Sequence, residues 1–184
     1  MYDAQTLRQV DHVVMQGYDA HWRSSKTAGP VAPLRGAERV TWENALKQGL
    51  LLGVPRERLL ISFPLYGYEW EVRGRQIRSE IVKSGVATSY APLPGGPHPD
   101  LPWSAAERAK QYGGRRDPVS GSSFYQFVSA EERFFEGWYE DSWSLERKND
   151  FLKKERLGGI AFFMLGYDGS KLIDHHLIRR KARQ

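Results

Sequence analysis

The sequence of 184 residues contains no cysteine. Disulfides, thiol nucleophiles and cysteine-based metal sites are thereby excluded, while the compartment stays open, because many exported proteins also lack cysteine. No apolar run approaches the roughly 20 residues that cross a bilayer. The polar start Met1-Tyr-Asp-Ala-Gln5 lacks the charged and then apolar build of a signal peptide. G-x-S-x-G, the P-loop, the dinucleotide glycine fingerprint and H-E-x-x-H are all missing. Their absence removes the commonest signatures of serine hydrolases, nucleotide enzymes and zinc peptidases. No cofactor, no metal and no membrane partner is expected, and no repeat of fixed period is visible.

What is present is enough apolar material for a real core, 40% of the residues, together with 6 Trp, 9 Tyr and 8 Phe. Aromatic side chains fill cores by default, but at strand ends they also stack on ligands such as sugar rings. The net charge of +5 comes from scattered residues, with clusters only at Lys153–Arg156 and Arg179–Arg183. These read as solvated surface, and a nucleic-acid partner is not expected. Adjacent His175 and His176 point in different directions on a helix and read as a solvated face, not a metal site.

Three near-continuous apolar runs, Asp11–Met15, Leu59–Phe63 and Gly159–Leu165, have the pattern of parallel strands covered on both faces. Helical segments precede the last two, one starting at the N-cap candidate Thr41 and stopped by Gly53 and Pro55. The other runs over Ser142–Lys154 and is ended by Gly158 and Gly159. Alternating helices and buried strands predict an α/β fold with a parallel sheet or barrel. The middle contains the breakers Ala91–Asp100 and Gly113–Gly121, then two aromatic segments around Ser122–Ala130 and Arg133–Asp141 that predict an antiparallel hairpin. The organisation expected is β/α units over 1–70, an α+β insertion with a hairpin over 71–141, and a last helix–strand unit with a basic tail over 142–184.

Ligands of parallel α/β folds bind at the carboxyl ends of the strands. Here those ends carry Tyr18-Asp19-Ala-His21-Trp22, Tyr66-Gly-Tyr68-Glu69-Trp70 and Tyr167-Asp168. Three strands delivering polar and aromatic groups to one rim predict a binding site, although Asp168 is better read as a helix N-cap.

In order and spacing, Gln16-Gly-Tyr-Asp-Ala-His-Trp22, Leu59-Leu-Ile-Ser-Phe-Pro-Leu-Tyr-Gly-Tyr-Glu-Trp70 and Gly158-Gly-Ile-Ala-Phe-Phe-Met-Leu-Gly166 resemble the sixth, seventh and eighth strands of glycoside hydrolase family 18. The likeness is to the bacterial branch with spore cortex-lytic and peptidoglycan-directed enzymes. It implies the C-terminal part of a (β/α)8 barrel and an N-acetylated glycan, peptidoglycan or chitin, as partner. It also implies substrate-assisted hydrolysis, with the sugar's own acetamido oxygen attacking. By this resemblance Tyr18 would hold the acetamido group, Asp19 would bond the sugar, and Tyr66 would line the cleft. Gln16, His21, Trp22, Tyr68 and Trp70 would contribute further contacts. Phe163 stands where the family has a tryptophan, and Gln16 where it often has methionine.

The family's D-x-x-D-x-D-x-E pattern, which supplies the general acid, does not occur in these 184 residues. The chain is therefore expected to be a fragment or a remnant of a secreted or cell-wall-associated glycosidase and inactive alone. A non-catalytic glycan-binding or assembly module is the alternative. Open barrel edges further predict self-association.

Overall fold

The computed structural model describes residues 4–7, 9–174 and 176; the basic tail and His175 lie outside them. After a short helix α1 (Ala4–Leu7), three strands, β1 (Val13–Met15), β2 (Leu59–Pro64) and β8 (Gly159–Phe163), form a parallel sheet in the order β1-β2-β8. Val13 pairs with Leu59, and Leu60 through Pro64 pair with Gly159 through Phe163. Residues in register share a face, so one face carries Val13, Met15, Leu59, Ile61, Phe63, Ile160 and Phe162. These pack with Trp42 and Leu46 of α2 (Trp42–Leu51) and with Leu145, Phe151 and Leu152 of α4 (Ser142–Glu155) in one apolar cluster. The opposite face carries Val14, Leu60, Ser62, Ala161 and Phe163.

The helices begin as their sequences dictate. Thr41 Oγ1 accepts the Asn44 amide at 3.0 Å, and Asp141 with Ser144 forms a reciprocal capping box on α4. The end of α4 differs from expectation, since Arg156, not a glycine, takes the left-handed cap conformation at φ 54°. Its amide bonds back to Leu152 and Lys153, and those two bonds hold a side-chain-bearing residue where glycine is usual. His176 is buried with its ring edge-on to Phe162, so the expected solvated face is corrected at that position.

A second sheet is antiparallel, in the order β4-β3-β7-β6-β5, formed by β3 (Tyr66–Val72), β4 (Val86–Ser89), β5 (Arg115–Asp117), β6 (Ser122–Val128) and β7 (Phe134–Tyr139). The hairpin expected from Ser122 onward is β6–β7, with Phe124 opposite Trp138. The sheet already begins at Tyr66, one residue beyond β2, so the chain passes from the parallel to the antiparallel sheet through Leu65 alone. Helix α3 (Ala105–Tyr112) covers one face with Ala105 and Ala109 against Tyr125 and Tyr139. The long loop after β1 lies against the other face, where Ala28 and Val31 meet Tyr66, Trp70, Phe124 and Trp138.

That loop is laced by backbone bonds to the connections between strands of the antiparallel sheet. Ala28 N–H donates to Ser79, Ile81 to Lys26, Gly85 to Arg23 and Leu34 to Ser120. Arg78 completes the join: its guanidinium bonds Glu38 at 2.6 Å and Asp117 at 3.0 Å, and its amide bonds the Glu136 carboxylate at 2.9 Å. A second anchor is the fully buried pair Lys148–Glu140, 2.6 Å apart, which ties α4 to the end of β7.

Candidate functional site

The site starts where the β1 ladder breaks. After Met15 the Gly17 amide donates to Ser62 Oγ, which in turn donates to the Met15 carbonyl, both at 3.1 Å. The Ser62 hydroxyl thus bridges the gap with one donor and one acceptor. Gly17 is required there by space: a Cβ would lie 2.5 Å from Ile61 Cγ2, 2.7 Å from Trp42 Nε1 and 2.8 Å from the Ser62 carbonyl.

This clasp fixes the exit direction of Tyr18 and Asp19. Asp19 takes φ 63°, the left-handed region that aspartate tolerates better than most residues. In that conformation its carboxylate accepts the Tyr66 hydroxyl at 2.6 Å. Tyr18 packs edge-on to Tyr66 at 5.8 Å and stacks on Phe163 at 5.6 Å. Tyr18 and Asp19 from the end of β1, Tyr66 from just beyond β2 and Phe163 from the end of β8 therefore meet.

Burial governs the protonation of this cluster. It pushes the Asp19 carboxyl above the usual carboxylate range, and the Tyr66 hydrogen bond pulls part of that back. Tyr66 is pushed well above an ordinary phenol by burial first and by its bond to Asp19 second. Tyr68 is pushed up to about 12, again chiefly by burial and then by the Asp19 charge. Tyr18 is raised by burial and by the neighbouring Asp19. At neutral pH the three phenols are therefore neutral hydrogen-bond donors and acceptors around one carboxyl group.

The other expected residues are spread more widely. Strand alternation puts Tyr66, Tyr68 and Trp70 on one face of β3, with neighbouring rings 5.7 and 5.6 Å apart. Tyr66 and Trp70 are buried and Tyr68 between them is partly exposed. Trp70 is only 1% exposed and its Nε1–H reaches the Arg23 carbonyl at 3.3 Å, so it offers the solvent no stacking surface. Glu69 points to the opposite face, accepting the Tyr125 hydroxyl at 2.8 Å, away from Asp19. Gln16 is exposed, with its amide on the Tyr18 carbonyl at 3.4 Å.

His21 is turned inward. Its Nδ1 lies 3.1 Å from the Pro30 carbonyl, and because a carbonyl only accepts, Nδ1 carries the proton. Trp22 is 52% and Phe163 47% exposed, and these two supply open aromatic surface. Asp168 accepts the amides of Ser170, Leu172 and Ile173 and is the expected helix cap.

Two residues that hold the site or the loop beside it were not visible from the sequence. Ser62 reads as a small interruption of an apolar strand, and the alternation of β2 shows only that it faces away from the helices. Arg78, whose carboxylate partners lie about 40 positions away in either direction, left no local trace. Among the described residues no group of three or more metal-ligating side chains is gathered, and no helix is long and apolar enough to cross a membrane.

Comparisons with known proteins agree on one family. The family model for glycosyl hydrolases family 18 matches residues 1–168. A Bacillus subtilis protein named as a sporulation-specific glycosylase, YdhD, is 28% identical over 161 residues, covering 85% of this chain and 32% of its own length. Its crystal structure matches 88% of this chain and 47% of that chain, with a TM-score of 0.66 and 26% identity. The cortical fragment-lytic enzyme of the same organism is 25% identical over 163 residues, again 85% of this chain and 32% of that protein. A chitinase from Cycas revoluta, solved with (GlcNAc)3, superposes at a TM-score of 0.75 and 22% identity over 95% of this chain and 48% of its own. The chain thus spans about a third of these curated relatives and about half of the solved chains. The fold is α/β of the TIM-barrel kind.

Proposed function

Because the chain belongs to glycosyl hydrolases family 18, we propose that it forms the C-terminal part of a glycosidase acting on N-acetylated glycans, peptidoglycan or chitin. In this reading β1, β2 and β8 are the sixth, seventh and eighth barrel strands. The antiparallel sheet is then an insertion between the last two that starts at Tyr66, a few residues before the boundary at 70 expected from the sequence, and ends near residue 141. The observation that carries the reading is the meeting of Tyr18, Asp19, Tyr66 and Phe163 at the carboxyl ends of three parallel strands.

The chemistry of that cluster suits a sugar amide. The Tyr18 hydroxyl donates to the acetamido oxygen, Asp19 accepts from the amide or from a ring hydroxyl, and Tyr66 keeps the carboxylate aimed. Phe163 gives an apolar ring face with less area than an indole and no N–H. Trp22 and Gln16 contact the glycan at the exposed rim, with His21 and Tyr68 supporting from behind.

No D-x-x-D-x-D-x-E occurs in the sequence, so the chain by itself binds glycan without hydrolysing it. A proton donor contributes on the order of 10²- to 10⁴-fold to such a reaction. Tryptophan fluorescence titrated with N-acetylglucosamine oligomers tests the binding, and chromatography of the same mixtures tests for cleavage. A saturable change without cleavage is expected. No change at millimolar oligomer overturns the binding reading, and turnover by the pure chain overturns the inactivity. On its own the chain is further expected to self-associate through the open edges of its parallel sheet.

A further inference from the structure

The antiparallel sheet carries a cavity of its own, of about 330 Å³, whose lining includes Arg75, Arg115, Gln126, Val128 and Phe134. Register puts Arg115 opposite Phe124, Gln126 opposite Glu136 and Val128 opposite Phe134. These side chains therefore share the face on which β3 carries Tyr66, Tyr68 and Trp70. Val72, six residues on from Tyr66, also pairs with Phe134, which places the cavity roughly 20 Å along that face from Tyr66. The loop with Ala28 and Val31 roofs the stretch between them, so cavity and cluster are separate.

The two arginines of the cavity are held in place but not neutralised. The Arg75 guanidinium lies 5.5 Å over the Phe134 ring and that of Arg115 4.7 Å over Phe124. Arg115 Nη2 donates to the Gln126 side-chain carbonyl. The Gln126 amide donates in turn to the Arg75 carbonyl at 3.3 Å and to the Glu136 carboxylate at 2.8 Å. Neighbouring Arg73, Arg78 and Arg133 all pair with carboxylates, whereas among the described residues neither Arg75 nor Arg115 forms an ion pair. Glu136, the acid beneath them, is fully buried and already accepts from Trp138, the Arg78 amide and Gln126. Beside the arginines Val128 stands 45% exposed, leaving apolar surface open at the same mouth.

We propose that this cavity binds a carboxylate-bearing sugar, gripping an acidic glycan strand at a distance from the Tyr18–Asp19 cluster. A guanidinium stacked on a ring presents paired N–H donors that match a carboxylate two to two. Arg115 uses one of its five donors on Gln126, so both arginines keep donors for a ligand. Phe134 and Val128 supply the apolar surface on which the sugar ring rests. A neutral glycan meets only that apolar part, so the site selects by charge. The inference stands apart from the glycosidase reading, because no residue of the cluster takes part.

The test titrates the isotope-labelled chain with two tetrasaccharides, one of N-acetylglucosamine alone and one alternating N-acetylglucosamine with N-acetylmuramic acid, and follows the backbone amides by NMR. The expected result is a saturable shift at Gln126 and Val128 with the acidic tetrasaccharide only, its affinity weakened at least about tenfold by Arg75→Gln combined with Arg115→Gln. Equal shifts with both sugars, or an unchanged affinity in the double variant, overturn the proposal. Inorganic phosphate that binds there as tightly as the acidic sugar at matched ionic strength overturns the sugar assignment. Where the double variant does not keep the parent spectrum, Val128→Glu sets a carboxylate at the mouth and must weaken the acidic sugar in the same way; unchanged affinity there is equally fatal. Shifts at Gln126 with none at Tyr18 or Asp19 refute only the glycosidase reading. Shifts at Tyr18 and Asp19 with none at Gln126 refute only the acidic-sugar site.

Discussion

Tyr66 is one hydroxyl away from phenylalanine, and that atom is what aims Asp19. Tyr66→Phe keeps the ring contacts with Tyr18 and Phe163 and removes the 2.6 Å bond. A hydrogen bond to a charged group contributes about 1.5–3 kcal/mol to stability, so the denaturation midpoint should fall, and N-acetylglucosamine oligomers should bind more weakly because Asp19 is no longer held in place; unchanged affinity in the fluorescence titration would remove Tyr66 from the site. His21 gives a pH effect of definite sign. Burial holds its imidazole below the usual value of 6.5, against the opposing pulls of the Pro30 carbonyl and Glu38, with Arg78 adding a smaller downward push. As pH falls through about 6.5 the unfolded chain takes up a proton that the folded chain refuses, so stability is lost on the acid side. The urea midpoint should fall between pH 7 and 5.5 and do so less in His21→Gln; equal slopes would refute the assignment. Tyr18 and Asp19 were legible because they follow an apolar run, whereas Phe163 lies within its run and was named only by the family resemblance. Trp70 misled for a related reason, since only its place on an alternating strand shows that its ring is turned under the loop.

At the scale of elements, helix α4 is pinned by a charge pair that burial disfavours. The Glu140 carboxyl is pushed up and the Lys148 ammonium down by desolvation, each against the stabilising presence of the other. Removing one partner leaves an uncompensated buried charge at about 3–5 kcal/mol. Lys148→Met is therefore expected to destabilise by that amount in chemical denaturation, and Lys148→Met combined with Glu140→Gln to recover a large part of it. A double variant no better than the single would contradict this account. The clasp at the end of β1 is as exacting in space as α4 is in charge. Gly17→Ala forces a methyl against Ile61, Trp42 and the Ser62 carbonyl, an overpacking cost of about 1–3 kcal/mol, measurable as a lower denaturation midpoint. Helices α2 and α4 and the β6–β7 hairpin were readable from pattern because their signals are local, whereas α3, though capped by Ser104, lies between the glycine- and proline-rich breakers and was not read. Strands β4 and β5 were not, because Val86–Ser89 and Arg115–Asp117 are short and are held in place by their partners.

For the molecule as a whole, the question is whether two sheets make one cooperative unit. Arg78, the laced loop and the Lys148–Glu140 pair all join them, so tryptophan fluorescence, with Trp70 and Trp138 in the antiparallel sheet and Trp42 against the parallel one, and far-UV circular dichroism should report a single urea transition. Separate midpoints would show that the joins are too weak to couple the sheets. The parallel layout was visible in the apolar runs, whereas the coupling was not, since Arg78 reaches Glu38 and Asp117 only once the chain is folded. The passage from β2 to β3 through Leu65 alone has a mechanical meaning. Leu65 is fully buried, its amide bonds Phe163 and its carbonyl accepts the Tyr90 amide, so it acts as a fulcrum between the two sheets. Tyr66 sits on the short arm of that lever. Any displacement of the antiparallel sheet relative to the parallel one would therefore be felt at the Tyr66–Asp19 contact, the place where the cluster registers strain between the two sheets.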